Sequence, residues 1–143
     1  MAPPNNRLMF KTTTAINQFL FQLSNGRIGG RFGKVDILLL TTMGRKSGQA
    51  RTIPLQYFRD GDDIVLLPSN AGDDHHPAWW LNVQANPNGV MQIGGEKTKV
   101  EARKATQEEK TRIWPHVTAI YPGYDEYQTR TTREIPLVLL RPR

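Results

Sequence analysis

Three short segments carry side chains that could do chemistry. The run Thr41-Thr42-Met43-Gly44-Arg45-Lys46-Ser47-Gly48-Gln49-Ala50-Arg51 places three cations, Arg45, Lys46 and Arg51, within seven positions of a glycine-flanked turn. Such groups beside the backbone amides of a tight turn make a seat for phosphate or carboxylate. It is not a Walker loop, because the G-x4-G-K-[ST] spacing is absent and the next segment reads as strand. A solvated hairpin tip whose charges protect a sheet edge is the competing reading.

The second segment is Pro68-Ser69-Asn70-Ala71-Gly72-Asp73-Asp74-His75-His76-Pro77-Ala78-Trp79-Trp80. Its small residues permit close backbone approach, and a helix starting near Pro77 aims free N–H groups at whatever lies before it. Asp73, Asp74, His75 and His76 could be read as metal ligands, but adjacent residues rarely converge on one ion, so no metal is expected. Trp79 and Trp80 cannot share a helix face, and are read as one packing residue and one pocket wall. The third segment is Tyr121-Pro122-Gly123-Tyr124-Asp125-Glu126-Tyr127. If it is helical after Gly123, Tyr124 and Tyr127 lie on one side and Tyr121 guards the approach. Phenols can stack on a planar molecule or donate a proton; half-buried tyrosines at a domain edge are the alternative.

Composition narrows the setting. The 143 residues fit one domain, and the absence of cysteine excludes disulfides, thiolate metal sites and cysteine nucleophiles. Lys and Arg number 19 against 13 acidic residues, a net charge of +6 that attracts anions such as nucleic acid, anionic lipid or a phosphorylated small molecule. No apolar run approaches the ~20 residues of a membrane span, and the first residues do not read as a secretory signal. An intracellular, cytoplasmic protein is expected.

The elements that must position these segments follow from periodicity and turn chemistry. Apolar residues at helical spacing from Leu8 to Leu23, ended by Asn25-Gly26, predict an N-terminal amphipathic helix over 1–25. It is expected to pack on the rest of the domain, 26–143. Its thin polar face, with Lys11 and three threonines, would also allow peripheral contact with a membrane. Gly29, Gly30 and Gly33 mark an irregular loop. Strands are predicted over 35–42, 50–58 and 64–67, with Asp60-Gly61 as a hairpin turn. A helix from Pro77 to about Ala85, a hairpin of 90–93 with 98–103 around Gly94-Gly95, a helix opening at Thr106 and reaching at least Trp114, and a last strand over 135–140 complete the chain. Antiparallel hairpins dominate, so the expected class is mainly β, a small barrel with peripheral helices.

Together the segments resemble the deazaflavin-dependent nitroreductase and quinone reductase family, split-barrel proteins that use coenzyme F420. The likeness runs from about Gly26 to the C-terminus. It rests on Leu39 to Arg51, Pro54-Leu55, Asp60-Gly61-Asp62, Pro77-Ala78-Trp79-Trp80-Leu81-Asn82, Asn86-Pro87, Tyr121-Pro122-Gly123-Tyr124 and Ile135-Pro136. It implies a split β-barrel of the FMN-binding type that holds a deazaflavin. On that resemblance, Arg45, Lys46 and Arg51 would bind the cofactor's phosphate and glutamyl carboxylates, assisted by Ser47 and the backbone of Gly48 and Gln49. Pro54 and Leu55 would lie beside the ring, Ser69, Asn70 and Ala71 would flank it, and Pro77, Ala78 and Trp79 would help enclose it. Tyr121, Tyr124 and Tyr127, with Ser69, would serve the acceptor side. Asn70 stands where nitroimidazole-reducing relatives can have lysine, which removes one cation.

The implied activity is hydride transfer from reduced F420 to a planar, electron-poor acceptor. A quinone is the expected acceptor, with nitroaromatics and coumarin- or aflatoxin-type lactones as further ones. The cofactor supplies the redox chemistry and the protein supplies position and polarity. An FMN-binding split barrel is the alternative within this fold. A basic nucleic-acid-binding barrel is a third reading, disfavoured because RNA-recognition and zinc-finger patterns are missing.

Overall fold

The computed structural model describes Arg31–Phe32 and residues 35–143. The expected helix over 1–25, its membrane contact and Gly29, Gly30 and Gly33 lie outside the described residues.

Seven strands form one antiparallel sheet: β1 (Arg31–Phe32), β2 (Val35–Met43), β3 (Ala50–Asp60), β4 (Asp63–Leu66), β5 (Asn88–Ile93), β6 (Glu96–Lys104) and β7 (Val138–Pro142). Their order is β1-β2-β3-β4-β7-β6-β5, and β5 returns to pair with β2, so β2 to β7 close into a six-stranded barrel. The closure sets Leu39, Leu40 and Thr41 opposite Gln92, Met91 and Val90. It needs a glycine at 89, where a Cβ would lie 2.9 Å from the Thr41 carbonyl oxygen. The mainly-β barrel expected from the hairpins is therefore present, with three helices around it: α1 (Ala78–Ala85), α2 (Gln107–Ile120) and α3 (Gly123–Thr129). Among the described residues, no helix is long and apolar enough to cross a membrane.

Alternation along the central strands divides the interior. Ile64 and Leu66 of β4, with Val138 and Leu140 of β7, join a cluster containing Leu38, Leu40, Met91 and the α1 residues Trp79, Trp80 and Val83. Val65, Leu67, Leu137 and Leu139 point the other way, onto Ile113 and Val117 of α2 and Tyr124 of α3. That is the period-two pattern of strands buried on both faces.

Two local readings change, and the helix opening at Thr106, expected to reach at least Trp114, runs on beyond it. The stretch before β2 contributes a two-residue strand, Arg31 and Phe32 pairing with Asp36 and Val35. The helix from Thr106 continues through Pro115 to Ile120. Its start is fixed by a capping box: Thr106 Oγ1 accepts from the Glu109 N–H and the Glu109 carboxylate accepts from the Thr106 N–H. The last strand begins at Val138 rather than Ile135, because Ile135 is tied instead to Gln128, whose Oε1 accepts from its N–H at 2.9 Å.

The asymmetry that matters for function lies along β3. Residues 50–57 pair with β2, whereas β4 takes up only Phe58, Arg59 and Asp60. Pro54, which has no N–H for a ladder, falls on this half-paired length.

Candidate functional site

Two clefts open along that stretch, separated by the N-terminus of α1. The first, of about 480 Å³, is lined by the turn between β2 and β3, by Arg51 and Ile53, and by Pro77, Ala78, Trp79 and Asn82. The second, of about 360 Å³, is lined by Pro54, Leu55 and Gln56, by Leu66, Leu67, Ser69, Asn70 and Ala71, by Pro77 and Trp79, and by the three tyrosines. Pro77 and Trp79 wall both, so the clefts adjoin.

In the first cleft the turn is closed by its own hydrogen bonds. The Gly44 N–H donates to the Gln49 carbonyl at 2.8 Å, and the Gly48 N–H donates to the Gly44 carbonyl at 2.8 Å. Ser47 Oγ accepts from the Gln49 N–H at 3.1 Å and from Arg51 Nη2 at 3.2 Å. Arg45 is anchored across the cleft: the buried Asn82 Oδ1 accepts both its backbone N–H at 3.1 Å and its Nη1 at 3.0 Å. Among the described residues the lining thus carries the cations Arg45, Lys46 and Arg51 and no carboxylate. A site of one sign, with its turn already folded, suits a multiply charged anion. The Gly48 and Gln49 N–H groups are engaged inside the turn, with the Gly44 carbonyl and Ser47 Oγ, and so shape the seat.

Among the described residues, none that lines the second cleft is charged. Gly123 begins α3 and makes the tyrosine cluster feasible, since a Cβ there would meet the Tyr121 ring at 2.5 Å. The three rings stand 5.0 to 6.3 Å apart, centroid to centroid. Tyr121 and Tyr127 share a hydroxyl–hydroxyl hydrogen bond of 3.2 Å. Tyr124 is buried, lies edge-on to Phe58 and donates its O–H to Gln56 Oε1 at 3.1 Å. Burial pushes the Tyr124 phenol well above its usual range, and the bond to Tyr127 raises that of Tyr121. Both remain protonated at neutral pH. Among the described residues the Gln56 Nε2 is buried with no hydrogen-bond partner. An unmet buried donor is rare in a folded protein, and a ligand acceptor atom such as a ring carbonyl is one group that could meet it.

The expected residues therefore divide cleanly. Arg45, Lys46, Ser47, Arg51 and Ala78 line the basic cleft; Pro54, Leu55, Ser69, Asn70, Ala71, Tyr121, Tyr124 and Tyr127 line the tyrosine cleft; Pro77 and Trp79 serve both. Trp79 is the pocket wall of the tryptophan pair and Trp80 lines neither cleft, although both are buried. Sequence reasoning missed Asn82 and Gln56. Asn82 stood inside the Pro77-to-Asn82 run, and that was a signal; Gln56 gave none. The acidic–histidine run is dispersed: Asp73 accepts from His75, Asp74 from Thr131, and His76 contacts Arg133. Among the described residues no group of three or more His, Cys, Asp or Glu could hold a metal ion.

Comparison with known proteins agrees with this geometry. Residues 14–142 match the family model of the F420H(2)-dependent quinone reductases. An F420H(2)-dependent quinone reductase of Mycobacterium tuberculosis is 36% identical over 129 residues, covering 87% of each chain. The solved structure of an F420-H2 dependent reductase (FDR-A) superposes with a TM-score of 0.67 at 38% identity, over 73% of this chain and 93% of that one. A structure described as a domain-swapped dimer superposes at 0.68 with 31% identity, over 97% of this chain and all of that one. The chain belongs to the F420H(2)-dependent quinone reductase family, and it is an oxidoreductase whose cofactor is coenzyme F420.

Proposed function

We propose that one F420 molecule occupies both clefts, its anionic tail in the basic cleft and its ring in the tyrosine cleft, and that the protein reduces a flat, neutral quinone there. The observation that carries this reading is the shared wall. Pro77 and Trp79 join a cationic compartment without carboxylates to a neutral, aromatic one, and F420 has that same division between tail and ring. Arg45, Lys46, Arg51 and Ser47 would hold phosphate and carboxylates, with Asn82 keeping Arg45 in place. Pro54, Leu55, Ser69, Asn70 and Ala71 would border the ring, with Pro77, Ala78 and Trp79 enclosing it.

Bound reduced F420 supplies a hydride. The residues have to bring donor and acceptor within about 3–3.5 Å and exclude water. A quinone that takes the hydride at one carbonyl system still needs one proton to become the hydroquinone. Tyr121, Tyr127, Ser69 or water can give it. Tyr124 is less suited, because its O–H is directed at Gln56, so stacking is its assigned role. Nitroaromatics and coumarin- or aflatoxin-type lactones are planar and electron-poor enough to be reduced as secondary acceptors.

The test is a fluorescence-quenching titration with F420 and with FMN, followed by steady-state reduction of menadione. F420 should bind tightly and FMN weakly, because a single phosphate engages fewer of the cations. Tighter binding of FMN would overturn the assignment.

A further inference from the structure

The wall formed by Ser69, Asn70 and Ala71 is held in an uphill conformation. Asn70 has φ 47° and Ala71 φ 55°, followed by Gly72 at 83°. Consecutive left-handed residues are unusual outside glycine, and alanine has no side-chain hydrogen bond to compensate. Something outside the segment has to hold it.

The segment's own bonds are local: the Ser69 N–H donates to the Leu67 carbonyl, the Gly72 N–H to the Ser69 carbonyl, the Asp73 N–H to the Asn70 carbonyl, and Asn70 Nδ2 to the His75 carbonyl at 3.0 Å. Further ties come from the connection between α3 and β7. Arg133 reaches the segment with all three guanidinium nitrogens. Nη2 donates to the Ser69 carbonyl at 2.8 Å and the Pro68 carbonyl at 3.3 Å, Nε donates to the Asp73 carbonyl at 2.9 Å, and Nη1 meets His76 Nδ1 at 3.2 Å. Burial and the neighbouring Arg133 charge lower the His76 pKa, which keeps that nitrogen an acceptor. Thr131 Oγ1 donates to Asp74 at 2.7 Å, and Arg130 Nη1 approaches the Ala71 carbonyl at 3.4 Å. Arg133 itself lines neither cleft.

We propose that Arg133 is a positioning residue for the cofactor ring: from behind the cleft it fixes the left-handed backbone of Asn70 and Ala71, and so the wall against which the ring lies. The role rests on the reading of the tyrosine cleft given above. It requires a planar fork rather than a charge, because one ammonium cannot serve carbonyls on both sides of the segment at once.

The decisive variant is Arg133→Lys, which keeps the charge and loses the fork. If the segment then holds its binding conformation about a tenth of the time, the F420 dissociation constant rises roughly tenfold. Adding Ala71→Gly should recover much of that loss, since glycine adopts the left-handed region without steric penalty. A purely structural arginine would not be rescued in this way. Amide exchange at Gly72 and Asp73, measured on the cofactor-free protein, should quicken in Arg133→Lys. Thr131→Val, which removes a different tie to the same segment, should show the same two effects at smaller size, and it decides the matter should Arg133→Lys not fold. Unchanged affinity and exchange, or a loss that glycine at 71 does not relieve, would overturn the proposal. Failure of the unmodified protein to bind F420 would instead overturn the cleft reading, and the exchange measurement would still judge Arg133.

Discussion

In the basic cleft the charged and hydroxyl side chains of the turn stand in solvent: Arg45, Lys46, Ser47 and Arg51 are all exposed, and the buried Asn82 lies behind them. In the tyrosine cleft several belong to the core. Tyr124 and Trp79 are buried members of the two hydrophobic clusters, and Ser69 is buried. On the proposed reading the first cleft would gain affinity from charges that water and salt can screen. The second gains precision from packing, so its residues answer to stability and chemistry together.

The largest effect that would sharpen this contrast is Tyr124→Ala. It removes a buried ring packed on Phe58, Tyr121 and Tyr127 and leaves Gln56 Oε1 without its donor. A loss of about 3–5 kcal/mol in stability is expected, visible in denaturant unfolding, together with a large rise in acceptor KM. An unfolding midpoint equal to wild type would break the comparison. Next come Arg45→Ala and Arg51→Ala, each weakening F420 binding by about 1–3 kcal/mol with the unfolding midpoint unmoved. Raising the ionic strength should weaken binding in the same direction; salt-independent affinity would show that these charges are not the seat.

A smaller effect is expected of Tyr121→Phe, which removes the hydroxyl bonded to Tyr127 and keeps the ring. Acceptor affinity should fall by about 1 kcal/mol or less. A drop of 10²–10⁴-fold in the chemical step would make Tyr121 the proton donor. Because the phenols of Tyr121 and Tyr124 lie above their ordinary value of 10.0, neither of these two should give a limb in the rate profile below pH 10. The smallest effect is a control outside both clefts. The Arg103 guanidinium and the capping box hold the Glu109 carboxyl at about 2 against an ordinary 4.5. Its contribution to stability is present above pH 4.5 and is lost as the pH falls towards 2. Glu109→Gln should flatten that acid limb in unfolding experiments and leave F420 binding at pH 7 unaltered.

The lining of both clefts was largely legible because it is local in sequence. The cations sit in one turn, the three tyrosines within seven positions, and the helix start at Pro77 declares itself. What the sequence does not display at Gly48 and Gln49 is that a turn presenting cations also satisfies its own amides. Gln56 and Arg133 could not be found this way. Gln56 is one polar residue among several on a strand, and it acquires meaning through Tyr124, 68 positions away. Arg133 reads as one more basic residue until the fold brings it to carbonyls 60 to 65 positions earlier.

The place of β7 in the sheet bears on how the chain reaches its native state. The strand latest in sequence lies between β4 and β6, pairing Leu66 with Val138 on one edge and Lys104 with Val138 on the other. During synthesis, β2 to β4 can form as a meander and β5 with β6 as a hairpin, each from local contacts. Neither can join the other along this seam until residues 138–142 emerge. From the synthesis of β6 until residues 138–142 join the sheet, β4 and β6 each leave an open strand edge; pairing between strands this far apart in sequence slows folding and exposes it to strand-pairing errors. Clipping a few residues from the C-terminus should be more damaging to yield than its distance from either cleft would suggest.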